Sequence, residues 1–119
     1  MDANLQAVDD LVRGSCSKGA KLICLPEYAS CLNITDDGFA VGPYPEEAHP
    51  ALSHIQNLAD ELDCWILLGS LAIEADNGKI LNRSYMINDS GVITARYDKL
   101  HLFDVDLNDG ESYRESKII

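Results

Sequence analysis

From Asn4 onward, Leu5, Val8, Leu11 and Val12 recur at helical spacing with Asp9, Asp10 and Arg13 between them. That pattern predicts an amphipathic helix of about four turns, closed by Gly19. Lys21-Leu22-Ile23-Cys24-Leu25 is a short apolar run bounded by Gly and Pro, as expected of a strand buried on both faces, and Pro26 turns the chain outward. From about Ala29 to Pro50 the glycines and prolines show no sustained period, which predicts a long, functional excursion flanking Glu27. Leu52, Ile55, Leu58, Ala59 and Leu62 then mark one side of a second helix, and Cys64 to Ile73 reads as another buried strand. Asp76-Asn77-Gly78 and Asp89-Ser90-Gly91 are turn signals beside strand-like segments, so two hairpins in series should follow. After Lys99 the text becomes irregular and acidic. No internal repeat or linker divides the chain, and the element order predicts a single α/β domain.

Composition narrows the function classes. With 46% hydrophobic residues among 119, a real core is within reach. The chain enters a helical pattern directly from Met1 and stops at the apolar pair Ile118-Ile119, so a fragment of a longer domain is expected. A formal charge of −11 argues against nucleic acid as a partner, because phosphate binding rests on clustered Lys and Arg. Cys16, Cys24, Cys31 and Cys64 show neither CxxC spacing nor disulfide-scaffold density, the pattern of reduced thiols in a cytoplasmic protein. No run reaches the roughly 20 apolar residues of a membrane span, and no signal peptide is evident, so no membrane is expected as a partner.

Two charges stand where apolar strands end: Glu27 after Leu25-Pro26, and Lys99 after Tyr97-Asp98. Taken singly, either suits an ordinary solvated surface. Together, beside a loop able to exclude water, they suit a general base and a cation that stabilises an oxyanion. A thiol between them would complete an acyl-transfer site. The cysteines present do not fill that place: Cys16 falls on a helix, Cys24 and Cys64 read as small hydrophobes of the strands, and Cys31 has no basic neighbour. Asp104 to Glu115 nearly fits a twelve-position calcium loop, but its glycine, Gly110, sits one place late and strands rather than a helix precede it. His49, His54 and His101 lack zinc spacing, and His101 reads as a core or supporting residue beside Lys99. Neither a metal nor a cofactor is expected.

Gly19-Ala20-Lys21-Leu22-Ile23-Cys24-Leu25-Pro26-Glu27 resembles the GAxLIxLPE segment of the nitrilase, or carbon–nitrogen hydrolase, superfamily. Tyr97-Asp98-Lys99-Leu100-His101-Leu102-Phe103-Asp104 resembles its YxKxHLFD segment, and the hairpin of Asn82 with Asp89-Ser90-Gly91 is similar to the stretch before that family's lysine. Arg114-Glu115-Ser116 resembles the RES or QES signature of the Nit, omega-amidase-like branch. The resemblance implies part of an α-β-β-α sandwich, with residues 1–119 an incomplete domain lacking the first strand and the cysteine-bearing C-terminal half. It implies Glu27 as general base, Lys99 as oxyanion-stabilising cation and Glu115 as a second carboxylate, the two acids keeping the lysine charged. In the family a thiol attacks an amide or nitrile carbon, ammonia or an amine leaves, and water hydrolyses the thioester. The implied activity is hydrolysis of a non-peptide C–N bond in a small amide, such as an ω-amide of a dicarboxylic acid, by a longer form that is a homo-oligomer. This chain alone is expected to be inactive. The alternative is a non-catalytic α/β module whose open strand edges need a partner.

Overall fold

A computed structural model describes residues 1–35, 38–76, 78–106, 112–117 and 119, the side chains of 33–35 and 38–40 excepted. Helix α1 (Asp2–Cys16) follows the predicted stripe, burying Val8 and Val12, and Gly19 takes the positive φ of 92° that lets the chain turn back after it. Strand β1 (Leu22–Cys24) comes next. The excursion is less irregular than expected, since β2 (Asn33–Thr35) and β3 (Gly38–Ala40) pair antiparallel and Glu46–Ala48 forms a 3₁₀ turn. Three-residue strands give too short a run for alternation to register.

Helix α2 (Pro50–Glu61) has Pro50 in its first turn, where the missing N–H costs nothing, and the imidazole of His49 caps it by accepting from Ala51 N at 3.2 Å. Strands β4 (Trp65–Glu74), β5 (Ile80–Ile87) and β6 (Ile93–Asp98) form the predicted pair of hairpins. The sheet runs β1-β4-β5-β6, with β1 parallel to β4 and the other pairs antiparallel. Past Lys99, β7 (Asp104–Asp106) and β8 (Ser112–Arg114) pair antiparallel, a hairpin that the acidic composition concealed.

Both helices supply the core over one face of this sheet, where Val12, Ile55, Leu58, Ile66, Leu68, Tyr85 and Ile87 are essentially solvent-free. Each such aliphatic side chain contributes about 1.5–3 kcal/mol. The opposite face is open among the described residues: the register aligns Leu22, Trp65 and Tyr97 there, and they are 55%, 38% and 57% exposed. β1 is therefore not buried on both faces as expected. It is an edge strand whose Ile23 alone is half-buried, and Cys24 beside it is exposed rather than packed as a small hydrophobe. Among the described residues no helix is long and apolar enough to cross a membrane.

One irregularity of the sheet prepares the site. Pairing slips between Leu68↔Tyr85 and Leu71↔Arg83, so Gly69 and Ser70 bulge opposite Ser84, whose hydroxyl donates to Gly69 O at 2.6 Å. A Cβ on Gly69 would lie 2.3 Å from Leu25 O and 2.5 Å from Pro26 C. Only glycine lets the chain that leaves β1 cross the bulge this closely.

Candidate functional site

Pro26 carries the chain over that bulge to Glu27, and Tyr28 then adopts φ 49°, a left-handed conformation that is strained for a bulky residue. Buried contacts offset the strain. Tyr28 N donates to Ser70 Oγ at 3.1 Å, and its phenol donates to Glu115 Oε1 at 3.3 Å. Burial, with Glu115 beside it, pushes the Tyr28 phenol well above its ordinary pKa, so it remains a neutral donor.

Lys99 comes from the end of β6. Its backbone N–H donates to Asn82 O at 2.9 Å, and an ion-pair clamp fixes that register. Arg83 grips both oxygens of Asp98 at 2.6 and 2.9 Å and reaches Glu46 at 2.7 Å, while Arg96 and the Tyr85 hydroxyl also donate to Glu46. Arg83 chiefly holds the Asp98 carboxyl below its usual range, and Arg96 chiefly does the same for Glu46. The clamp flanks Asn82 and Lys99 on their own strands and so sets where both lie.

The three side chains singled out in the sequence meet. Lys99 Nζ lies 2.9 Å from Glu27 Oε1 and 2.9 Å from Glu115 Oε2. Glu115 opens the 3₁₀ turn after β8, and its carboxylate is 1% exposed and saturated. Oε2 accepts from Lys99 and from Phe103 N at 2.6 Å, and Oε1 accepts from Tyr28 and from Asn82 Nδ2 at 3.0 Å. Burial raises the Glu115 pKa, yet the Phe103 N–H, Asn82 and Lys99 together outweigh it and hold the carboxyl low. For Lys99, burial lowers the pKa and the two carboxylates outweigh that, so it stays charged. Glu27 differs from Glu115: it is 53% exposed, and its Oε1 alone carries the bonds to Lys99 and to Asn82 Nδ2, the latter at 2.7 Å. A pocket of about 260 Å³ opens over the set, lined by Glu27, Tyr28, Leu32, Lys99, Phe103, Tyr113 and Glu115. Its walls are apolar at Leu32 and Phe103 and charged at Glu27, Lys99 and Glu115.

Other sequence expectations lie elsewhere. Among the described residues no cysteine lines the pocket. His101 is exposed, neither core nor support for Lys99, because the chain leaves the sheet after β6. Of the stretch that nearly fits a calcium loop, Asp106 pairs with Arg114, Asp104 accepts from Ser116 N, and Glu115 points to Lys99. Positions 107–111 of that stretch, like Asn77 and Ile118, lie outside the described residues. Asn82 and Tyr28 join the site without a role predicted from the sequence. The available signal was a lone amide within a strand of apolar and β-compatible residues, an off-pattern choice.

The carbon–nitrogen hydrolase family profile matches residues 1–119, the whole chain. The chain belongs to the carbon–nitrogen hydrolase family. It is 28% identical over 120 residues to the omega-amidase NIT2 of Homo sapiens, covering 98% of this chain and 41% of that protein. It is 32% identical over 122 residues to a deaminated glutathione amidase of Synechocystis sp., covering 98% of this chain and 43% of that protein. The chain thus spans about two-fifths of the length of these curated relatives. In architecture it is similar to the C. elegans NitFhit protein, with a TM-score of 0.76 at 23% identity over 99% of this chain and 29% of that one. An amidase from Nesterenkonia sp. AN1, solved as a mutant in complex with acrylamide, gives a TM-score of 0.65 at 20% identity, covering 84% of this chain and 37% of that one. These likenesses place the α/β fold among nitrilase-superfamily structures.

Proposed function

We propose that these residues form the acid–base and cation part of a site that hydrolyses the C–N bond of a small amide, with Glu27 as general base, Lys99 as oxyanion-stabilising cation and Glu115 as the carboxylate that holds the lysine. The observation that carries this reading is Lys99 Nζ at 2.9 Å from both carboxylates at the mouth of the pocket. The two acids are not equivalent. Glu115 has both oxygens occupied and is sealed from water, whereas Glu27 has no protein partner on Oε2 among the described residues and stands half in solvent. Glu27 is therefore the acid able to accept a proton from a nucleophile and return it to a leaving amine. The fixed ammonium stabilises the negative charge that develops on the carbonyl oxygen.

The nucleophile comes from outside these residues. The Nesterenkonia amidase is described with covalent adducts at an active-site cysteine, which supports a thiol in that role. The relatives' names, omega-amidase and deaminated glutathione amidase, support a small amide such as an ω-amide of a dicarboxylic acid as substrate. In this reading residues 1–119 are the incomplete N-terminal part of a longer domain, in keeping with their span of about two-fifths of the relatives' length, and that longer form acts as a homo-oligomer, as the family resemblance implies.

The test is ammonia release from succinamate and propionamide by the 119-residue chain before and after alkylation of its four cysteines. No turnover is expected in either state. Robust activity that survives alkylation overturns the thiol mechanism. A second reading, a non-catalytic module that needs a partner, draws on the open apolar face at Leu22, Trp65 and Tyr97. It requires that the chain joined to the cysteine-bearing remainder of a relative, folded and assembled, still release no ammonia.

A further inference from the structure

We propose that Asn82 is the positioning residue of this site, its single side-chain nitrogen orienting both carboxylates around Lys99. The inference rests on the reading of Glu27 as base and Lys99 as cation. Nδ2 carries two protons, and each goes to a different acid: Glu27 Oε1 at 2.7 Å and Glu115 Oε1 at 3.0 Å. The opposite amide orientation would set an oxygen against two carboxylates, so the network admits only one. Asn82 is 3% exposed, which leaves water little access to compete for either bond. Its backbone carbonyl accepts from the backbone N–H of Lys99 at 2.9 Å, so one residue holds both carboxylates by its side chain and the lysine by its main chain.

The consequence for chemistry lies in how Glu27 is held. With Oε1 shared between Asn82 and Lys99, the half-exposed carboxylate cannot swing into solvent, and Oε2 is left to take a proton. The residues most similar to Asn do not do the same. Ser offers one proton for two acids, Asp adds a third carboxylate beside one ammonium, and Gln carries its nitrogen about 1.5 Å too far. The Arg83 clamp on the next residue keeps the amide at the depth the two acids require.

The test uses the isotopically labelled 119-residue chain with N82L, which is nearly isosteric, and N82S. In the unsubstituted chain, both side-chain amide protons of Asn82 should exchange at least about 100-fold more slowly than those of exposed Asn4. In N82L and N82S, the Glu115 carboxyl should titrate about 1 pH unit higher, and the Lys99 ammonium protons should exchange faster. A merely structural role would lower the urea midpoint and leave the titration of Glu115 in place. Asn82 protons that exchange like those of Asn4, or a Glu115 titration unmoved in a folded variant, overturn the proposal. Should both variants fail to fold, the exchange rate in the unsubstituted chain decides. The reading of Glu27 and Lys99 fails separately, through Lys99 ammonium protons that exchange freely while the Asn82 amide remains protected.

Discussion

Replacing Glu115 by Gln removes one charge and keeps the shape, yet it should be among the costliest single changes in this chain. Each carboxylate oxygen of Glu115 accepts from two donors: Oε1 from Asn82 and Tyr28, Oε2 from Lys99 and Phe103 N. A glutamine must point its NH₂ at one of those pairs, so donor meets donor at a side chain that is 1% exposed. Leaving a buried group unsatisfied costs about 1–3 kcal/mol, and breaking a buried ion pair about 3–5 kcal/mol. Lys99 is 28% exposed and retains Glu27, so the lower end applies, about 3 kcal/mol. E27Q is the control: its carboxylate is 53% exposed with two contacts, and its loss should cost at most about 1 kcal/mol.

The assay is equilibrium urea unfolding followed by circular dichroism. With a slope of about 1.5 kcal/mol per molar, E115Q should lower the midpoint by about 2 M. A fall in Tm of roughly 10–20 °C is the matching thermal result. The acid limb gives an independent check. Because folding depresses the Glu115 pKa, its contribution is present above the unfolded glutamate value of about 4.3 and is lost as pH falls through the folded value. E115Q should flatten that part of the profile. Lys99 runs the other way, its raised pKa giving stability below about 10.4 that disappears as pH rises through the folded value. A loss under about 1 kcal/mol for E115Q, or equal losses for E115Q and E27Q, refutes the assignment of Glu115 as the anchored acid and Glu27 as the free one.

Gly69→Ala puts a Cβ 2.3 Å from Leu25 O, so the backbone must move; about 2–3 kcal/mol should be lost by urea unfolding, with the Lys99 ammonium resonance shifting as Glu27 withdraws. Burial holds the His49 imidazole below its ordinary pKa, so stability should be full above about pH 6.5 and fall as the unfolded state takes up a proton below it; urea midpoints between pH 7.5 and 5 should show this slope, and H49N should remove it. Cys24 is exposed, whereas the Cys64 thiol is pushed up to about 12 by burial and by its neighbour Cys16, so a disulfide reagent should label Cys24 in the native chain and Cys64 only after unfolding, as peptide mapping would record.

Long periodic elements were legible in the sequence because burial writes its period into side-chain choice. Helices α1 and α2 and strands β4 to β6 follow their patterns closely, with Gly19 and Gly91 taking the positive φ that their turns require. Elements three residues long leave no such record, so β2–β3 and β7–β8 carry no legible period in the sequence. β1 is legible as a strand, but its exposure is not. An apolar strand looks the same whether a second layer covers it or leaves Leu22 in water, because composition reports what a face can bury and not what lies against it.

The site shows the same division more sharply. Glu27, Lys99 and Glu115 could be picked out because each is a charge at the end of an element or within a recognisable motif. What makes them a device is carried by groups with no distinctive spelling: a backbone N–H at Phe103, an amide at Asn82, a strained tyrosine at position 28 and a missing Cβ at Gly69. Those groups break the symmetry between two otherwise similar acids. Both carboxylates lie 2.9 Å from one ammonium, yet four donors saturate Glu115, while among the described residues Glu27 is gripped on one oxygen only. A carboxylate gripped on both oxygens can hold a cation but has no lone pair readily free for a proton; one gripped on a single oxygen can do both in turn. The division between holding and reacting that we propose for this pair therefore rests on the distribution of donors around it, which lies below the level at which residue types along a chain can be read.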